Sequence, residues 1–231
     1  MLVTDSLSFQ GRHATLVPAT TVEVRRGELL LVQGETQESR TALSLMLSGR
    51  MKPNSGRVSW QGSGRTRDIR RASALLDSPG VNEPESYLKV KDLVKEDLAL
   101  IPTFTWNRVL PMRWLESYHQ EGIADQWIDQ LSPTDRLDLL VNLALADPDV
   151  HLVVCDSPER HGATDEEWLR RLVQILVDHE RDVAVVAVVS VIPAMWDGPY
   201  AVIGNAQNKR AQNERAQNEK AQNEKAQEAQ S

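Results

Sequence analysis

At 231 residues and a formal net charge of −7, the chain is long enough for one domain with a sizeable core, and too acidic for a general nucleic-acid binder, which needs a basic footprint. A single cysteine, Cys155, excludes a disulfide framework and predicts a reducing compartment. No secretory leader is expected, because Asp5 interrupts the N-terminus; the longest uncharged stretch, 183–196, contains Pro193 and falls short of the about 20 residues that span a bilayer.

The first third predicts strands and turns. Leu7 and Phe9 alternate with Ser6 and Ser8, and residues 21–24 alternate too, as in half-buried strands. After the turn Arg25-Arg26-Gly27, residues 28–33 form an apolar run that predicts a buried strand ending at Gly34. Ala42, Leu43, Leu45, Met46 and Leu47 predict a helix over 40–47, which Gly49 stops, and Pro53-Asn-Ser-Gly56 reads as a loop. Short strands are predicted at 57–60 and 72–76.

The middle changes character. Val90, Leu93, Val94 and Leu98 have helical spacing, and 110–118 is also predicted helical. Residues 123–131 place Ile123, Trp127, Ile128 and Leu131 on one helical face. Together these predict a helical subdomain, about 81–135, inserted between strands. Trp106 and Trp114 flank an apolar segment there, and core packing is their default assignment. A helix at 136–146 follows, then a strand at 152–155 ending in Asp156, a helix at 165–178, a strand at 183–189 and a short strand at 200–203. Apolar strands alternating with helices predict a largely parallel sheet covered on both faces.

Residues 206–231 repeat Ala-Gln-Asn with a period of five. Five residues turn a helix by about 500°, so the alanines form no stripe, and a solvated tail, disordered or transiently helical, is expected. Without it, the body 1–205 carries 21 Lys and Arg against 29 Asp and Glu. The histidines (His13, His119, His151, His161, His179) show no metal-ligand spacing, and Cys155 inside an apolar strand reads as an inert core thiol.

Three strings in the first quarter resemble the start of an ABC-transporter ATP-binding subunit: Gly27-Glu-Leu-Leu-Leu-Val-Gln-Gly34, then Glu35-Thr-Gln-Glu-Ser-Arg-Thr41, then Leu47-Ser-Gly-Arg-Met-Lys-Pro-Asn-Ser-Gly56. Leu131-Ser-Pro-Thr-Asp135 lies where that family has its signature, Ala144-Leu-Ala-Asp-Pro148 follows, and Leu152-Val-Val-Cys-Asp156-Ser-Pro158 resembles its Walker B strand. Each string is weak alone; their order and spacing carry the resemblance, which covers about 2–205. It implies an α/β fold: a RecA-like P-loop core, a small antiparallel β-subdomain and an inserted helical subdomain.

The resemblance also shows what is substituted. A phosphate loop aims backbone N–H groups at the phosphates, with a Lys for the β/γ-phosphates and a hydroxyl for Mg²⁺. By position, the nucleotide loop comprises Gly34, Glu35, Thr36, Gln37, Glu38, Ser39, Arg40, Thr41 and Ala42. Gly34 and Thr41 hold their places, but Ser39 replaces the second glycine and Arg40 the lysine, while Glu35 and Glu38, if they face the ligand, repel a triphosphate. Thr41 and Asp156 are the implied Mg²⁺ positions. Ser157 stands where the family has its catalytic glutamate, and Ser is no general base at neutral pH. Asp77 falls at the Q-loop position, no switch histidine follows the strand at 183–189, and the signature positions Leu131, Ser132, Pro133, Thr134 and Asp135 lack its glycines. Phe9 and His13 are the nearest candidates for an adenine-stacking ring.

The resemblance, with these substitutions, implies a degenerate nucleotide-binding subunit of a membrane permease, with ATP and Mg²⁺ as cofactors, weakened ATP binding and hydrolysis lost. It would be cytoplasmic, peripheral on the inner face of the cell membrane, and paired as a homodimer or with another ATP-binding subunit, with no nucleic-acid partner. The alternatives are a non-catalytic pseudo-ATPase serving as a structural or regulatory interaction module, and an ATPase working with unusual residues.

Overall fold

The computed structural model describes residues 1–101, 109–178 and 181–206. Its centre is a five-stranded sheet in the order β6-β7-β8-β4-β9, built from β4 (Leu29–Gln33), β6 (Ser73–Leu76), β7 (Leu152–Asp156), β8 (Ala184–Val189) and β9 (Tyr200–Val202). All of its pairings are parallel. The apolar runs explain this, because a strand buried on both faces needs no polar alternation. Leu29, Leu31, Val153, Cys155, Val185 and Ala187 join one core, shared with helices α3 (Val90–Leu100), α4 (Pro111–Ser117), α5 (Pro133–Ala146) and α6 (Asp165–Asp178). Their sequence neighbours Leu30, Val32, Leu152, Val154, Ala184 and Val186 join a second core on the opposite face, shared with α1 (Gln37–Leu47).

That second core is closed by an antiparallel sheet in which β1 (Leu2–Gln10) pairs with β2 (Thr15–Thr20), β3 (Glu23–Val24) and β5 (Ser55–Trp60). A short helix, α2 (Thr66–Ala72), leads from β5 into β6. The helical insertion runs from the end of β6 to the start of α5. The parallel core, antiparallel sheet and helical insertion are those the resemblance implies. No helix among the described residues is long and apolar enough to cross a membrane.

Several expectations are corrected. Residues 123–131 do not form a helix; short 3₁₀ turns occupy Glu121–Ile123 and Ile128–Gln130. The segment instead bonds to the entry of α3: Ile128 N–H donates to Leu88 O (3.0 Å), and Val90 and Lys91 donate to Gln126 O and Ala124 O (3.1 and 3.0 Å). Ile128 still reaches the core, but Trp127 is exposed with Lys89 Nζ 5.5 Å from its ring centre. Helix α1 starts at Gln37, three residues before the expected 40, and α5 starts at Pro133, three before 136. Strand β2 and helix α2 have no counterpart in the sequence expectations, and β5 begins inside the expected loop at Ser55. Trp114 is buried as expected, while Trp106, His179 and the repeat from 207 onward lie outside the described residues.

Candidate functional site

The site grows from the ends of β4 and β7, which lie on either side of β8. After β4 the chain reaches α1 in a few residues. Thr36 is the helix cap: its Oγ1 accepts from Ser39 N–H (3.2 Å), and its carbonyl accepts from Arg40 N–H (3.1 Å). The amides of Ser39 and Arg40, which a phosphate loop would aim at its ligand, are thus spent inside the first helical turn.

The Arg40 side chain then fills the space that the shortened loop encloses. It is 9% exposed. Nη1 donates to Gly34 O (2.9 Å) and Glu35 O (3.3 Å), Nη2 to Gln37 Oε1 (2.8 Å), and Nε to Ser157 Oγ (2.9 Å). The planar fork is suited to several acceptors at fixed angles, as a lysine is not. Gly34 is required for this: a Cβ there would lie 2.8 Å from Arg40 Cγ and 2.7 Å from Ile203 Cδ1. Glu35 and Glu38 are both exposed.

Asp156, at the end of β7, is 1% exposed and surrounded by donors. Thr41 Oγ1 and Ser78 Oγ each donate to Oδ2 at 2.7 Å, and Gln37 Nε2 donates to Oδ1 at 3.0 Å. Ser157 Oγ sits 3.1 Å from both Asp156 Oδ1 and Gln37 Oε1 and can donate to one of them. Ser157 adopts a left-handed backbone (φ 57°), a strained conformation for a residue with a Cβ. The sequence therefore located Gly34, Gln37, Arg40, Thr41, Asp156 and Ser157, and the structure brings them together. It missed Ser78, which no motif marks.

These residues do not fit a Mg-triphosphate as they stand. A guanidinium holds two loop carbonyls where phosphate oxygens would need N–H donors. The implied metal carboxylate already accepts three hydrogen bonds from hydroxyl and amide donors, and Ser157 offers no base.

The remaining expected positions fall elsewhere. Asp77 follows β6 in a left-handed conformation (φ 51°) and binds Arg136 of α5 in bidentate fashion, Oδ2 accepting from Nε (3.1 Å) and Oδ1 from Nη2 (2.8 Å). His161 Nε2 lies 2.7 Å from Asp77 Oδ2. Arg160 lies 3.3 Å from Oδ1, donates to the Asp77 carbonyl (3.0 Å) and pairs with Glu83 (2.7 Å). Burial pushes the Asp77 carboxyl up, but His161 and Arg136 outweigh it and lower the pKa to about 2. Asp77, Glu83 and His161 bring three ligand atoms within 4.8 Å of one another, yet the arginines already neutralise both carboxylates, so the donor set does not suit a cation.

The signature positions make a helix cap. Ser132 Oγ accepts from Asp135 N–H (3.1 Å) and donates to its carboxylate (2.7 Å), with Pro133 in the first turn; Leu131 and Thr134 are half-buried. Ala42 is core, Phe9 packs against the second core, and His13 is exposed. Burial and the charges of Asp156 and Asp77 push the Cys155 thiol up, so it is inert.

No protein-family model matches the chain, and no curated protein matches it. Solved structures do. A dimeric bacterial ABC transporter cassette, MJ0796, superposes with a TM-score of 0.65 at 18% identity, over 88% of this chain and 95% of that one. An ATP-binding subunit of an ABC transporter gives 0.63 at 16% identity, over 88% and 85%. The subunit cbiO1 of Clostridium perfringens, part of the transporter complex cbiONQ, gives 0.62 at 15% identity, over 82% and 78%. Identities this low establish architecture alone, and the architecture is that of the ATP-binding cassettes of ABC transporters.

Proposed function

We propose that this chain is the cassette subunit of a membrane transporter that docks on a permease at the cytoplasmic face of the membrane, pairs with a second cassette chain, and hydrolyses no ATP at its own loop. The cassette is residues 1–205, and the repeat 206–231 is an appendage to it. The observation that carries the reading is the Arg40 guanidinium inside the loop, bonded to Gly34 O and Glu35 O. Any triphosphate binds weakly, because it must first displace Arg40 from its four acceptors.

Ser157 supports the loss of hydrolysis independently, since a hydroxyl hydrogen-bonded between Asp156 and Arg40 cannot draw a proton from water. Permease docking is supported by a groove of about 690 Å³ along the outer edge of β6, lined by Arg50 and Leu75 on the sheet side and by Leu93, Asp97 and Leu100 of the insertion. A helix laid there would bury Leu100, which is 81% exposed.

Thermal melting of the purified chain in millimolar Mg-ATP tests the nucleotide half. No change in Tm is expected. Occupancy at a hundredfold excess over Kd adds about 2.7 kcal/mol, so a rise of that size, with phosphate release, overturns the reading. Co-purification with a multi-span membrane protein encoded beside this chain tests the docking half.

A further inference from the structure

The helical insertion leaves the sheet after β6 and returns at α5, and both of its stems end in one cluster. The outgoing stem is Asp77, directly after β6. The returning stem is Arg136, in the first turns of α5. A third segment, the 3₁₀ turn Pro158–His161 after β7, supplies Arg160 and His161.

We infer that Asp77 is a clamp that ties both stems of the helical insertion to the turn after β7, so that the insertion and the parallel sheet form one rigid body. The contacts are the bidentate hydrogen-bonded pair with Arg136 (2.8 and 3.1 Å), the close approach of His161 (2.7 Å), and Arg160, which lies 3.3 Å from the carboxylate and donates to the carbonyl (3.0 Å). The second arm of Arg160 holds Glu83, six residues further out along the same stem, at 2.7 Å.

Three features separate this cluster from ordinary surface pairing. Its central members are shielded, with side-chain exposures of 15% for Asp77 and 9% for Arg136, where an exposed pair is worth little. The single carboxylate meets two guanidiniums and an imidazole from two other segments, so releasing its stem strands the charges of Arg136 and Arg160. Asp77 also holds a left-handed backbone at the hinge itself (φ 51°), and backbone strain persists only where the surroundings over-determine it. Two further polar bonds seal the same stem: Asn82 Nδ2 donates to Leu75 O (2.6 Å) and its Oδ1 accepts from Ser78 N–H (2.9 Å). Ser78 in turn bonds Asp156, so the outgoing stem is fixed to β7 from two sides. The clamp stands on this geometry, and the Mg-ATP result leaves it untouched.

Hydrogen–deuterium exchange on the full chain reads sheet and insertion separately. Asp77→Asn keeps the side-chain shape and the tolerance for left-handed backbone while removing the charge. Amides of α3 and α4 are expected to exchange faster on the order of tenfold or more, while those of β7 and β8 keep their rate. Unchanged exchange in α3 and α4 overturns the clamp, and so does an equal acceleration in β7 and β8, which marks a purely global loss of stability. Should Asp77→Asn fail to fold, Arg160→Ala with His161→Ala removes the contacts to the turn and leaves Arg136. The same local acceleration is then expected at smaller size, and its absence overturns the proposal.

Discussion

The two buried carboxylates of the site, Asp156 and Asp77, are held by opposite means. Asp156 is held by neutral donors, the hydroxyls of Thr41 and Ser78 and the amide of Gln37, and the nearby cation Arg40 reaches it only through Ser157 and Gln37. Asp77 is held by two guanidiniums and an imidazole in direct contact. Hydroxyls can rotate toward other acceptors when their partner is lost, whereas a stranded guanidinium keeps its charge. The first site is therefore adaptable and closed, and the second is rigid and dependent on charge.

The largest expected effect sharpens that contrast. Asp77→Ala leaves Arg136 buried without its partner and should cost about 3–5 kcal/mol in chemical denaturation. Asp156→Ala removes hydrogen bonds between neutral donors and a charge, and should cost about 1.5–3 kcal/mol. A larger loss from Asp156→Ala would break the comparison.

Acid titration comes next. The folded pKa of Asp77 is lowered to about 2, below the ordinary value of 3.8. Its stabilisation is therefore complete above the ordinary carboxylate range and is lost as pH falls through about 4 toward 2. The loss is on the order of 2 kcal/mol, and melting curves of the wild type should show it while those of Asp77→Asn should lack it.

Smaller effects follow. Ser132→Ala removes the cap of α5, about one turn before Arg136, and should lower stability by about 1 kcal/mol. Asp97→Asn tests a carboxylate for which no cation partner lies among the described residues. Burial, helped by Glu96, pushes Asp97 up to about 6 from 3.8, so its ionisation costs stability progressively as pH rises from about 4 to 6. The substitution should stabilise the chain at pH 8 by about 1 kcal/mol and lose that advantage below pH about 4, which paired melts at the two pH values will show.

Much of the fold was legible because burial on both faces writes itself as apolar runs: residues 28–33, 152–155 and 183–189 anticipate β4, β7 and β8. Strand β2 was not, because Pro18 and the exposed Thr15 give it neither an apolar run nor clean alternation. Helix α2 buries only Ile69, so it carries no stripe. The false helix at 123–131 had helical spacing, but pairing of this segment with residues 88–91 overrode it. Within the site, the order of motifs gave Gly34, Arg40, Thr41, Asp156 and Ser157. What Arg40 does was hidden, since it depends on α1 starting at Gln37 and on Ser157 arriving from β7. The Asp77–Arg136 pair was hidden for the same reason: nothing local links a strand end to a helix start across an insertion.

Gly34 shows how hard the closed loop would be to reopen. Its missing Cβ makes room for the Arg40 stem, its carbonyl accepts from Arg40, and Gln37 and Ser157 supply the other ends of the fork. Arg40→Lys alone would leave those acceptors aimed into the loop, the Ser39 amide still committed to Thr36, and no base at Ser157. Conversion to a working phosphate loop is therefore a concerted change on two strands and a helix, and each single step toward it starts by breaking a satisfied network.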